Sequence, residues 1–299
     1  MKDALINEIA ELLLGAGFSV SVCRNMHSSF DILAKKEGIL LIKVLSNVEG
    51  FTERNSAELE QVADALSAVP LVVGQRMKHR DLMRGVIYSR YDTNVMSFET
   101  LTDVIEESLP VISSVRGDYC VSIDPKMMVR VRGRLHLSQT QLADELDVSK
   151  QSIYRYERTG TMSIEVARRL IEFLDDEGIL VPKDVLSKKH APCCQFADEM
   201  VGLKKMVLDE LRGIGMGAVP TRAPFDIVAG NEKIILTVIG NDNKGILRRM
   251  EIVDGISEIM DTYEVCISER HPDIDIAVIS PNELAQIKTY EEFIRRIIG

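Results

Sequence analysis

Two short helical patterns separated by a turn lie within residues 137–160, LSQTQLADELDVSKQSIYRYERTG. In the first pattern Leu142, Ala143 and Leu146 recur at helical spacing. Ser138 stands just before this pattern, where its hydroxyl can accept a hydrogen bond from an N–H of the first turn. These residues predict a short helix from about 139 to 146.

The second helix is predicted to begin near Lys150, with Ser149 as its N-cap, and to run to about Arg158. Ile153 is expected to face inward, and Gly160 follows at the helix end, where glycine adopts a positive φ at little cost. Two short helices joined by a turn of three or four residues form a helix-turn-helix. In that geometry the second helix presents its N-terminal turn to the DNA major groove.

The residues that carry this pattern resemble the Cro/C1-type (XRE-like) helix-turn-helix family of repressors. The resemblance rests on LSQTQLA (137–143), VSKQSI (148–153) and Tyr156-Glu157, and it extends over residues 124–184. The family usually has glycine in the turn, where this chain has Asp147. Aspartate tolerates the left-handed region better than most residues, so the turn is still expected to form.

The resemblance implies a set of DNA-contacting side chains, which are Gln139, Thr140, Ser149, Lys150, Gln151, Ser152, Tyr154, Arg155 and Arg158. Gln151 can make two hydrogen bonds to adenine, and Lys150 can reach the acceptors of guanine. The other members suit phosphates or neighbouring base edges, which position the protein on the duplex.

Charge is distributed unevenly along the chain. The formal net charge is −10, which argues against a protein that coats DNA regardless of sequence. Residues 126–170, in contrast, carry nine Lys and Arg against five Asp and Glu. A basic segment in an acidic chain favours a specific DNA-binding regulator, although some of these arginines could simply be solvated on helix faces.

The two flanks of this segment resemble each other. Phe30-Asp31-Ile32 recurs as Phe225-Asp226-Ile227, and residues 40–47 align with residues 234–241 at an offset of 194. We interpret this as one internal repeat, interrupted by the DNA-binding segment. Each copy has Val-, Ile- and Leu-rich strand patterns between helices, as in a sheet covered on both faces.

The order of elements in each copy resembles the restriction-endonuclease-like α/β fold. Nucleases of that fold use an Asp and then an acid-x-Lys pattern to hold Mg²⁺ and position water. Asp31 and Lys43 fit two of these places, but Leu41 occupies the place of the second acid. In the second copy Asp226 corresponds to Asp31. At the offset of 194, Ile235 corresponds to Leu41 and Thr237 corresponds to Lys43. We therefore expect inactive scaffolds, in which Asp31 and Asp226 make local hydrogen bonds.

The predicted fold is α/β plus all-α, with a central Cro/C1-type bundle between two related α/β domains. The predicted boundaries are 1–118 for the first copy, 119–187 for the helix-turn-helix domain and 188–299 for the second copy.

Other chemistry is sparse in the sequence. The five cysteines form no CxxC pair, and His190 with Cys193 and Cys194 lacks an evident fourth metal ligand. No nucleotide-binding glycine pattern occurs, so no cofactor and no metal are expected. We expect neither a membrane-spanning helix nor a secretory leader. The sequence therefore predicts a cytoplasmic protein without a membrane partner.

The arrangement of the whole chain resembles a group of archaeal helix-turn-helix transcriptional regulators, with YCVSIDP (119–125) ahead of the module and YRYERTG (154–160) inside it. It predicts a non-enzymatic regulator that binds double-stranded DNA as a homodimer, with any small-molecule effector unknown. The alternatives are a metal-dependent DNA nuclease or processing factor, and a protein-interaction adaptor.

Overall fold

A computed structural model describes residues 2–24, 26–115, 117–187, 200–270 and 272–298. The chain packs into two compact units, one formed by Met1–Val72 with Leu186–Gly299 and the other by Val73–Val185. These boundaries differ from the three predicted domains, and that division stays a prediction. None of the described helices is both long and apolar enough to cross a membrane.

The first unit begins with the first α/β copy. Its elements are α1 (Lys2–Gly15), β1 (Ser19–Val22), β2 (Ile32–Lys35), β3 (Ile39–Asn47), α2 (Glu53–Ala65) and β4 (Val69–Met77), which continues into the second unit. Strands β1, β2 and β3 pair in antiparallel order, and α1 packs against them. Consecutive residues of β3, Leu41 and Ile42, are both fully buried because the sheet is covered on both faces.

The second unit contains the helix-turn-helix. Its elements are β5 (Arg80–Asp81), β6 (Val86–Arg90), β7 (Thr93–Met96), α3 (Phe98–Ile105), β8 (Ile112–Val115), β9 (Asp118–Ser122), α4 (Pro125–Arg134), α5 (Gln139–Glu145), α6 (Lys150–Thr159), β10 (Thr161–Ser163) and α7 (Ile164–Leu174). The strand order is β7-β6-β8-β9-β10, and β5 pairs with the end of β4. Helices α4 to α7 enclose an apolar core that includes Leu146 and Ile153, both fully buried.

The second α/β copy completes the first unit. Its elements are α8 (Leu203–Gly213), β11 (Gly217–Pro220), β12 (Ile227–Gly230), β13 (Ile235–Ile239), α9 (Asn243–Met260), β14 (Tyr263–Ile267), β15 (Val278–Ile279), α10 (Pro281–Leu284) and α11 (Tyr290–Ile298). The strand order is β11-β12-β13-β14-β15, antiparallel up to β13 and parallel beyond it. The order from α8 to β14 is the same as the order from α1 to β4.

The two copies pack against each other inside the first unit. The rings of Phe30 and Phe225 lie 6.4 Å apart between centroids. The buried Gln61 side chain on α2 donates to the carbonyl oxygen of Pro220 at the end of β11, at 2.9 Å. The repeat therefore forms a pair within one chain.

Candidate nucleic-acid interface

The two helices of the motif begin at serine caps, as the sequence predicts. Ser138 Oγ accepts from Gln141 N, and the Gln141 side chain accepts in return from Ser138 N, which forms a capping box at the start of α5. Ser149 Oγ accepts from Ser152 N at the start of α6, at 3.1 Å. These caps satisfy N–H groups that would otherwise lack a partner within the helix.

The turn between the helices forms without glycine. Asp147 adopts a φ of 50°, in the left-handed region, and its carboxylate pairs with Arg169 of α7 at 3.2 Å. The next residue, Val148, donates its N–H to the carbonyl of Ala143 at 3.0 Å and so closes the end of α5. The left-handed backbone of Asp147 costs a small amount of stability, and the side chain of Asp147 has an ion-pair partner, Arg169, on α7.

The end of α6 depends on Gly160. Its φ is 64°, and a Cβ atom there would lie 2.6 Å from the carbonyl oxygen of Ile123. A side chain therefore cannot be accommodated without a shift of the backbone. The glycine lets Ile123, the residue after strand β9, pass close to the end of α6.

The one carboxylate of α6 is turned into the bundle. Glu157 accepts from Arg132 Nε of α4 at 2.6 Å and from Gln139 Nε2 of α5 at 2.6 Å. Arg132 also donates to the carbonyl oxygen of Leu137 at 3.0 Å. This network ties three helices together and leaves Gln139 half-buried, with its carbonyl oxygen and one N–H still available. Sequence reasoning missed the role of Glu157, because nothing in the local pattern distinguishes an inward carboxylate from a solvated one.

The outer face of α6 is polar, basic and exposed. Lys150, Gln151, Tyr154, Arg155 and Arg158 are all exposed, Tyr154 at 53%. Within the part of the chain that the structure describes, no carboxylate pairs with the three cations of this group. Charged groups left unpaired on one face are available to an anionic partner.

Two of these side chains hold each other in place. Arg158 Nη1 donates to the Tyr154 hydroxyl at 3.2 Å, and its guanidinium lies 5.5 Å from the centre of the Tyr154 ring. Arg155 lies over the ring of the buried Tyr156 at 5.2 Å. Such contacts reduce the conformational freedom of the arginines before any ligand binds.

The remaining predicted contacts lie at the N-termini of the two helices. Thr140 is exposed in the first turn of α5. The hydroxyls of Ser149 and Ser152 lie 3.0 Å apart at the start of α6, where Ser152 is half-buried. The structure therefore brings the predicted residues to the beginnings of α5 and α6 and to one face of α6.

The nuclease-like position of the first copy is occupied by an ion cluster. Asp31 is buried and accepts from Val44 N of β3 at 2.8 Å. It also pairs with Lys2 Nζ at 2.9 Å and with Lys43 Nζ at 3.4 Å. Burial lowers the pKa of Lys43, whereas the negative charge of Asp31 opposes this shift. Leu41, in the place of the second acid, is part of the apolar core.

The second copy holds its aspartate in the same way. Asp226 is buried and accepts from Ile239 N of β13 at 2.7 Å. Its cations are Lys204, at 2.6 Å, and Arg249 of α9. Burial raises the pKa of the neighbouring Cys266 thiol to about 11.

These hydrogen bonds correct the predicted alignment of the copies by one residue. Asp31 N donates to Ile42 O, and Asp226 N donates to Thr237 O, so the strands correspond at an offset of 195. The residue equivalent to Lys43 is therefore Val238, and not Thr237. By the same shift, the residue equivalent to Leu41 is Leu236, and not Ile235.

The described residues contain no group of three or more His, Cys, Asp or Glu side chains able to hold a metal ion. The possible ligands His190, Cys193 and Cys194 lie outside the described residues.

Comparison with protein families gives two matches. Residues 2–110 match the PD-(D/E)XK superfamily domain, and residues 129–177 match a helix-turn-helix. The second match covers α5 and α6, and it confirms the helix-turn-helix predicted from the motif. The first agrees with the endonuclease-like resemblance of the first copy.

Whole-chain relatives extend this comparison. A protein of Methanocaldococcus jannaschii named "Putative HTH-type transcriptional regulatory protein" is 32% identical over 99% of this chain and 96% of its own length. This chain belongs to that family. A member from Methanocorpusculum labreanum is 35% identical over 89% of this chain and 87% of its own length. A third, from Thermococcus gammatolerans, is 32% identical over 100% of this chain and 96% of its own length. No solved structure matches the chain.

Proposed function

We propose that this protein is a sequence-specific, DNA-binding transcriptional regulator whose helix α6 enters the major groove. The observation that carries the proposal is the asymmetry of α6. Its one carboxylate, Glu157, is drawn into the bundle, while Lys150, Arg155 and Arg158 stay exposed without a described carboxylate partner. The names of its relatives agree with this function.

Within this proposal the contacts fall into two groups. Lys150 and Gln151, at the start of α6, contact base edges and determine the preferred sequence. Phosphates or adjacent bases are contacted by the other side chains, which are Gln139, Thr140, Ser149, Ser152, Tyr154, Arg155 and Arg158. The exposed ring of Tyr154 is stiffened by Arg158 and suits the sugar-phosphate backbone.

The protein acts as a homodimer and without catalysis in this proposal. A single α6 of ten residues reaches only a few base pairs. Two copies related by a two-fold axis would place their recognition helices about 34 Å apart, on the two halves of an inverted repeat. Any effector that controls this binding is unassigned.

Base readout is tested by substituting Gln151 with alanine. We expect this variant to lose about 5- to 150-fold in affinity for the preferred site, because a bidentate contact to adenine contributes about 1–3 kcal/mol of discrimination. Its affinity for a scrambled duplex should barely change. Gln286→Ala, which removes an exposed glutamine of the first unit, is the matched control. Equal binding of the preferred site by Gln151→Ala and by the wild type would contradict the recognition-helix assignment.

A second candidate function, a metal-dependent DNA nuclease, is favoured by the family match over residues 2–110 and by the pairing of Asp31 with Lys43. It predicts cleavage of supercoiled DNA with Mg²⁺ or Mn²⁺ that both Asp31→Ala and Lys43→Ala abolish. The missing second carboxylate at Leu41 argues against it. An adaptor, in turn, would show no salt-sensitive DNA binding at all.

A further inference from the structure

A basic β-hairpin projects its charges from the same unit as the helix-turn-helix. The hairpin comprises residues 76–81, in which Arg76 pairs with Asp81 and Met77 with Arg80 across the two strands. Lys78 and His79 form its tip. Arg76, Lys78, His79 and Arg80 are all exposed.

The cations of this hairpin form no ion pair with the described residues. In the described ranges, no carboxylate lies within ion-pair distance of Arg76, Lys78 or Arg80, even though Asp81 is their neighbour. Three unpaired cations on six residues stand out in a chain with a formal net charge of −10. Apart from Asp81, the hairpin carries no negative charge.

The tip keeps a lysine where a smaller residue would fit better. Lys78 has a φ of 56°, in the left-handed region that favours glycine or asparagine. Below the tip, the base is anchored, because Leu82 is buried and donates its N–H to the Gln75 carbonyl at 2.9 Å. The hairpin therefore has a fixed base, and its tip presents exposed cations to the solvent.

A short series of contacts connects the hairpin to the recognition helix. Met83, two residues beyond the hairpin, accepts a hydrogen bond from the Tyr119 hydroxyl of β9 at 3.4 Å. Tyr119 and Arg155 of α6 line the same cavity of about 610 Å³. The segment that follows the hairpin is therefore linked to Arg155 of α6 through Tyr119 and the cavity that Tyr119 lines.

From this arrangement we infer that the hairpin of residues 76–81 is a second DNA-contacting element, which binds the phosphate backbone of the duplex beside the site contacted by α6. Its partner is the phosphate backbone, because Arg76, Lys78 and Arg80 supply three separate exposed cations on a short turn, and contacts of cations to phosphates carry no sequence information. This inference rests on the proposed function, since it assumes that α6 binds DNA.

The test compares the full-length triple variant R76Q/K78Q/R80Q with the wild type in titrations of a duplex that carries the preferred site, over a range of salt concentrations. Each lost phosphate contact lowers the steepness of log K against log salt by about 0.9. We expect a decrease of about 2 to 3 in this slope, and a loss of roughly 10- to 100-fold in affinity at low salt. The order of preference among base sequences should stay the same.

Two controls make the result specific. The variant K205Q/K244Q/R248Q removes three exposed cations of the first unit that have no described ion-pair partner, and it changes the net charge equally. We expect it to retain at least half of the wild-type affinity. Asp81→Asn removes the carboxylate of the hairpin and should tighten binding a few-fold, a gain that misfolding cannot imitate.

The outcomes separate the two proposals. Unchanged binding by R76Q/K78Q/R80Q and by Asp81→Asn, while Gln151→Ala loses specificity, would overturn the hairpin inference and leave the proposed function intact. An equal loss with the first-unit control would also overturn the inference, because net charge alone would then explain the effect. No binding by the wild type would instead count against the proposed function.

Discussion

The aspartate clusters of the two α/β copies and the outer face of α6 use charge in opposite ways. Asp31 and Asp226 each accept one backbone N–H and pair with two cations, so their charge is satisfied inside the fold. On α6, the cations Lys150 and Arg155 have no carboxylate partner in the described part of the chain and face outward. Cations therefore stabilise the aspartate clusters, whereas the cations of α6 are available to bind an anionic partner.

The two aspartates make the same backbone contact in their copies. In both copies the aspartate connects the strand after it, β2 or β12, to the next strand through a backbone N–H. The cations differ, Lys43 in one copy and Arg249 in the other, while this hydrogen bond is the same. Changes in the clusters should therefore alter stability, and changes on α6 should alter DNA binding.

The largest expected effect is on stability, in Asp226→Ala. Arg249 cannot release its proton, so removal of Asp226 leaves a half-buried charge and should cost about 3–5 kcal/mol. Asp31→Ala should cost roughly 2 kcal/mol, because Lys43, whose pKa burial lowers, can become neutral. The free energy of unfolding in urea measures both. Equal losses would contradict the distinction between lysine and arginine.

Gly160→Ala should lower both stability and DNA affinity, which no change in the aspartate clusters is expected to do. The new Cβ would lie 2.6 Å from Ile123 O at a φ of 64°, which should cost about 2 kcal/mol and displace the end of α6. Gly133→Ala in α4, with open space around it, is the control and should gain about 0.5 kcal/mol. A wild-type melting temperature for Gly160→Ala would contradict the close approach of Ile123 to the end of α6.

Arg155→Ala should weaken binding to every duplex about 10-fold and lower the salt slope by about 1, while thermal stability stays unchanged. Arg168→Ala, an exposed arginine of α7 that pairs with Glu172, serves as the control and should leave affinity unchanged. Fluorescence anisotropy titrations at several salt concentrations measure the effect. A selective loss on one sequence only would reassign Arg155 to a base contact.

The smallest expected effect is a gain, in Gly255→Ala on α9. A Cβ there would lie 3.9 Å from Ser21 Oγ of the first copy, an ordinary contact, and alanine is the better helix former. We expect about 0.5–1 kcal/mol of added stability from urea unfolding, with DNA affinity unchanged. A loss of stability would show that α9 lies closer to β1 than this contact allows.

The helix-turn-helix was predictable residue by residue because its signals are local. Ser138, Ser149 and Gly160 act at helix ends through their own backbone neighbours, and all three take the predicted positions. The left-handed conformation of Asp147 was likewise predictable from its residue type.

The register of the repeat was less predictable for a physical reason. In strands buried on both faces, apolar residues fill successive positions, so an alignment at 194 and one at 195 look equally good in the sequence. The hydrogen bonds of Asp31 and Asp226 and the pairing of Ile32 with Ile42 and of Ile227 with Thr237 distinguish them. A slip of one residue moves every side chain to the opposite face, so the offset of 194 aligns Lys43 with Thr237 instead of Val238.

Polar contacts between residues far apart in the chain could not be predicted from the sequence either. The inward turn of Glu157 depends on Arg132 and Gln139, which come from two other helices. The pairing of the copies through Gln61 and Pro220 joins residues far apart in the chain. No local pattern encodes such partners.

Recognition of a particular DNA sequence by α6 can be measured by selection from a random duplex library with the wild type and with Gln151→Ala. We expect the wild type to enrich a reproducible motif, arranged as an inverted repeat, with affinity that falls steeply as salt rises. The pool selected by Gln151→Ala should lose the preference at one position of each half-site. Failure of the wild type to enrich any motif, or the same motif from both proteins, would contradict sequence recognition by α6.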